Sequence, residues 1–133
     1  MLRSASAVAL LCGLAVAGCS SSADEARSVA REACEYPAPE APNYDPQIAD
    51  ITLLQDLAAT ARARATLAAR AAELDERWAV LSEASNLLSA AADRILEIRR
   101  QGGAVVDEVT PEMWDQIKYA SDAFVVECRP AIG

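Results

Sequence analysis

A chain of 133 residues with 12 basic and 20 acidic side chains, net charge -8 and no histidine has room for one domain. Its acidity repels nucleic acid and anionic headgroups. The lack of histidine removes the commonest general base and metal ligand, so no catalytic residue, metal or cofactor is expected. The apolar fraction of 53 % is largely alanine, with two Trp, three Tyr and one Phe. Mixed with Leu, Arg and Glu, that composition predicts an all-α chain.

Residues 1–18 open with one positive side chain, Arg3, followed by the apolar run Ala7-Val8-Ala9-Leu10-Leu11-Cys12-Gly13-Leu14-Ala15-Val16-Ala17. This is the order of a secretory leader, and the run is too short to span a bilayer as a helix. The segment Val16-Ala17-Gly18-Cys19 resembles the lipobox of bacterial lipoproteins, with an aliphatic residue, two small residues and then cysteine. Cys12 fits less well, because Leu11 precedes it. The resemblance covers residues 1–19 only. It implies diacylglycerol on the Cys19 sulfur, cleavage between Gly18 and Cys19, and a lipid-anchored location outside the cytoplasm. In a two-membrane cell, serine after the cysteine resembles the pattern of outer-membrane delivery. Two acyl chains hold far more firmly than one. Ser20-Ser21-Ser22 reads as a tether; even fully extended, the four steps from Cys19 to Ala23 span at most about 14 Å.

With Cys12 removed and Cys19 acylated, Cys34 and Cys128 remain. In an exported chain they pair most economically as a disulfide, the alternative being two buried thiols.

Ala23 to Glu35 then predicts a short helix. Residues 36–46, with Pro37, Pro39, Pro42 and Pro46, form a stiff connector. Its Pro39–Pro42 spacing is that of ligands for small binding modules, but a crossover strap accounts for it as well. Asp45-Pro46 has the form of an N-cap and first helical position. Gln47 to Gln101 contains neither Gly nor Pro. Ile51, Leu54, Ala58, Ala61, Ala65, Ala68 and Ala72 make one stripe; Leu74, Trp78, Leu81, Leu88, Ala92 and Ile95 make a second, displaced around the helix. Propensity favours one helix, whereas the reach of the connector to a Cys34–Cys128 bond favours two, turning near Glu73–Arg77. Gly102-Gly103 marks a C-cap. Thr110-Pro111-Glu112 starts a last helix with Trp114, Ile117, Ser121, Phe124 and Cys128 on one face, closed by Arg129-Pro130. The expected architecture of residues 24–133 is a small antiparallel bundle of three long helices and a short N-terminal one, stapled once.

Candidate chemistry is sparse. Asp93 and Glu97 share a helix face, most simply as a solvated pair. Arg62, Arg64 and Arg70 form a basic patch that serves surface solubility or, alternatively, docks an acidic partner or cell-wall polymer. Trp78 and Trp114 are the largest anchors, for a core or for a partner. The alanine seam favours a filled bundle over a ligand pouch. The expectation is a membrane-anchored envelope lipoprotein that acts by contact with another envelope protein and is not an enzyme. The alternative is a carrier or sensor of a small apolar ligand, which would need a cavity between Trp78 and Trp114.

Overall fold

A computed structural model describes the backbone of residues 11–133 and the side chains of residues 22–133. Residues 1–10 of the expected leader and the side chains of residues 11–21, the expected acylated Cys19 among them, lie outside what is described. Five helices follow in order, α1 (Leu11–Glu35), α2 (Ile51–Leu74), α3 (Ala79–Arg100), the four-residue α4 (Val105–Glu108) and α5 (Pro111–Ile132), and the described residues contain no strand. The N-terminal helix is thus longer than expected and takes in Ser20–Ser22, read from the sequence as a tether. Alanine-rich sequence on both sides of the serines favours propagation of the helix through them.

The long helices pack in the ring order α1, α2, α3, α5. Asp75 and a single 3₁₀ turn, Glu76–Trp78, reverse the chain between α2 and α3. Ala23, Asp24 and Arg27, midway along α1, lie beside that turn and beside Pro130 and Gly133. Near the C-terminal end of α1, Cys34 bonds Cys128 of α5. α1 therefore runs antiparallel to both α2 and α5. It covers only the part of the bundle nearer the turn. The connector continues downward from it, with Tyr36, Pro37 and Pro39 facing Asp56, Ala59 and Thr60 of α2.

The interior divides into two clusters. Nearer the turn, Ala26, Ala30 and Ala33 of α1 meet Ala68, Ala71, Trp78, Leu81, Cys128 and Ala131. At the opposite end, Leu54 and Ala58 pack with Ile95, Leu96, Ile98, Val105 and Val109. Between the clusters the α2–α3 interface is made of small residues, including Ala65, Ser85 and Ser89.

Magnitudes decide what holds α1. Among its described side chains the fully buried ones are three alanines, with Val29 half-buried beside them, and at about 0.8 kcal/mol per buried carbon the alanine methyls contribute roughly 2–3 kcal/mol. The Cys34–Cys128 disulfide spans a sequence separation of 94; by loop-closure entropy it adds about 4–5 kcal/mol. The crosslink outweighs the packing.

Helix boundaries follow side-chain caps. Asp45-Pro46 does not start α2. Asp45 instead closes one turn, its side chain accepting from Gln47 N and its carbonyl from Ile48 and Ala49. The helix begins after Asp50, whose carboxylate accepts from Thr52 N at 2.7 Å. α2 ends at Leu74 because Asp75 turns extended (φ -154°, ψ 115°) and its side chain accepts from Arg77 N, so two helices stand where propensity alone favours one. α3 ends in a Schellman motif: Gly103 N donates to Ile98 O, Gly102 N to Arg99 O, and Gly102 takes φ +76°. Thr110 caps α5 through Met113 N, with Pro111 in its first turn. Pro130 does not close that helix, which runs on to Ile132. A proline this near a helix end forfeits one hydrogen bond, and buried Ala131 returns packing for it.

Candidate interaction surfaces

α5 places its residues in an unusual order. Those it buries are Ala120, Cys128 and Ala131, while Trp114, Tyr119, Val125, Val126 and Ile132 are exposed. Trp114, Ser121, Val125 and Ile132 recur at intervals of seven, four and seven, which aligns them along one flank of the helix. Trp114 and Ser121, expected on the core face with Ile117, Phe124 and Cys128, are therefore turned outward. The physical reason is the face that α5 packs inward: it carries Ala120 and Ala131, and Trp114 and Ser121 lie roughly 100° around the helix from those alanines. Ile117 and Phe124 are half-buried.

Trp78 has the opposite fate. It is 2 % exposed in the cluster beside the turn, with the Arg77 guanidinium 4.3 Å from its ring centroid and Arg77 in turn 3.5 Å from Glu127. Its indole is packed and offers a partner no surface. Trp78 sits at the turn and Trp114 in the first turns of α5, beside the other cluster, so the two indoles stand at opposite ends of the bundle.

The three arginines separate. Arg62 and Arg70 flank an open groove of about 540 Å³ between α2 and α3, with Thr66, Asn86 and Ser89. They pair with Asp93 at 3.3 Å and Glu25 at 3.7 Å. Both pairs are solvent-exposed and contribute little to stability. Arg64 points to the opposite flank of α2. Its Nη2 donates to Tyr36 O at 2.8 Å and its guanidinium lies 5.5 Å from the Phe124 ring centroid. Burial holds its pKa below the ordinary arginine value. Arg64 is a stitch between α2, the connector and α5, and the basic patch reduces to Arg62 and Arg70.

Asp93 and Glu97 are engaged separately, Asp93 with Arg62 and Glu97 with Arg94 and Gln101. Among the described residues no group of carboxylates and cysteines is placed to hold a metal ion, and no helix is long and apolar enough to cross a membrane.

The end of the bundle away from the turn carries apolar side chains that the periodicity argument passes over. Ile48 is 80 % exposed and Val106 67 %, with Tyr44 nearby in sequence at 44 %. Arg99 ties this end together by donating to Pro46 O at 2.6 Å. Burial and neighbouring Asp45 raise the Tyr44 pKa above its ordinary value, against the pull of Arg99. Each lies outside the long helical stripes: Tyr44 in the connector, Ile48 in the turn that Asp45 caps and Val106 in the four-residue α4.

Comparison with protein families, with curated proteins and with solved structures finds no match.

Proposed function

We propose that the chain is the precursor of a cell-envelope lipoprotein, anchored through diacylglycerol on Cys19 after loss of residues 1–18. Its bundle acts by binding another envelope protein rather than by catalysis. The anchor rests on the sequence Val16-Ala17-Gly18-Cys19 and the apolar run before it. The binding role rests on one observation, the outward Trp114, Val125 and Ile132 of α5, a helix that buries alanines instead. Leaving large apolar side chains in water forgoes roughly 1.5–3 kcal/mol for each that full burial would return. An aromatic among aliphatic residues on one flank is the composition of interface centres, with Trp the commonest energetic anchor.

Two measurements test the two halves. Replacing Cys19 by serine should abolish labelling with an alkyne-bearing fatty acid; undiminished labelling would show that the anchor residue is wrong. A photo-crosslinking amino acid at position 125 in intact cells should give a discrete adduct absent when it stands at position 90, on an exposed face of α3. Identical adduct patterns at both positions would remove α5 as the binding face.

A further inference from the structure

The two ends of the bundle are not equivalent with respect to an anchor, and their chemistry differs. Resting on the lipid-anchored reading above, we infer that the bundle stands on the membrane with its turn end against the headgroups and its Trp114 end outward. The surface concerned is formed by Ala23, Arg27, Asp75, Arg77, Pro130 and Gly133, which line one groove of about 480 Å³.

Reach sets this orientation. Cys19 is four residues before Ala23, and Ala23 belongs to the turn end of the bundle. Fully extended, those four steps span about 14 Å, and as helix only about 6 Å. The 24 residues of α2 carry the bundle to its far end, about 36 Å away at helical rise. An anchor at Cys19 thus brings the turn end to the headgroups and cannot bring Ile48, Val106 or Trp114 there while the bundle stands. Helix α1 is continuous across residues 19–23, so the link lacks the swivel of a glycine-rich linker.

Charge is compatible with that orientation. The chain as a whole is acidic, and this end carries both signs: Arg27 and Arg77 stand beside Asp24 and Asp75 in the same groove, with exposed Glu76 and Arg129 close by. A mixed set suits a headgroup that carries both a phosphate and an amine better than a face of acidic groups alone would. The Arg77 guanidinium, held over Trp78 and paired with Glu127, is about half exposed, so a phosphate would compete with Glu127 for it.

The two native tryptophans report the orientation. Trp78 is level with Arg77 and Glu127, whereas Trp114 lies thirteen residues earlier along α5, about 20 Å farther from the anchor. The lipidated full-length protein is reconstituted in vesicles of phosphatidylethanolamine and phosphatidylglycerol containing a headgroup-nitroxide lipid. Fluorescence quenching is compared between the native protein and Trp114→Phe, a substitution at a partly exposed site. The signal remaining in Trp114→Phe belongs to Trp78, and the difference belongs to Trp114. Quenching of Trp78 should exceed that of Trp114 by at least about threefold, given that separation. Equal or reversed quenching in protein that floats with the vesicles would overturn the orientation while leaving the anchor intact. Protein that carries no lipid and does not float would overturn both.

Discussion

Trp78 and Trp114 carry the same indole and occupy opposite environments, and the difference is set by their neighbours. Trp78 follows Asp75 at the tightest point of the chain, where α2 and α3 diverge and leave space for a large ring, and Arg77 closes over it. Trp114 stands in the first turns of α5, a helix held against its neighbours through alanine. Replacing Trp78 by alanine should cost about 3–5 kcal/mol, the range for a large aromatic lost from a core. Trp114→Ala should cost less than half as much, read as urea midpoints at unchanged slope. Equal losses would mean that Trp114 is a core residue after all. Both residues were visible in the sequence as anchors, but periodicity could not separate them. Each recurs with apolar residues at helical spacing, and the deciding fact, that alanine fills the contact, belongs to the neighbouring helices. The arginines repeat the point. Arg62 and Arg64 are adjacent in composition but two positions apart on a helix, which puts them on different flanks.

At the level of elements, the helices were legible wherever a side chain or a glycine announces an end. Gly102, Gly103 and Thr110 act where the sequence places them, and the reversal near residue 75 followed from the reach of the connector. Three boundaries were misplaced because two signals compete within a few residues. Asp45-Pro46 has the form of a helix start but closes a single turn, and Asp50 takes over. Pro130 has the form of a stop but lies so close to the end that burial of Ala131 prevails. The serines at 20–22 suggest a linker, and the helix runs through them. The alanine seam between α1 and the α2–α5 face is the element-level feature with the sharpest consequence. Ala30 is fully buried there, so Ala30→Leu should overpack the contact and lower stability by about 1–3 kcal/mol, although leucine is nearly as good a helix former as alanine. The same change at exposed Ala90 should be close to neutral. Thermal melts of the two variants distinguish them; an unshifted or raised melting point for Ala30→Leu would show that α1 sits loosely on the bundle.

For the molecule as a whole, the weak packing of α1 and the strength of its crosslink combine into a particular order of failure. α2, α3 and α4 share the cluster of Leu54, Ile95, Leu96, Ile98, Val105 and Val109, with half-buried Met113 of α5 packed against it, and the described side chains of α1 contribute nothing to it. α1 adds its three alanines to the other cluster and is fixed there by Cys34. Removing the disulfide by Cys34→Ser with Cys128→Ser takes away about 4–5 kcal/mol of loop-closure stabilisation, more than the roughly 2–3 kcal/mol that the alanine methyls supply. The loss therefore falls first on α1, which opens as a unit before the rest of the bundle. In native-state hydrogen exchange of the double variant, amides from Ala26 to Ala33 should exchange much faster than in the native protein. Those around Ala58 and from Ile95 to Ile98 should change far less. If protection were lost uniformly, α1 would be an integral part of one cooperative unit. On the lipoprotein reading the same helix leads to the anchor, so the crosslink is what transmits the membrane attachment to the part of the bundle that carries Trp114. A reduced protein would remain on the membrane by α1 while its binding face moved freely.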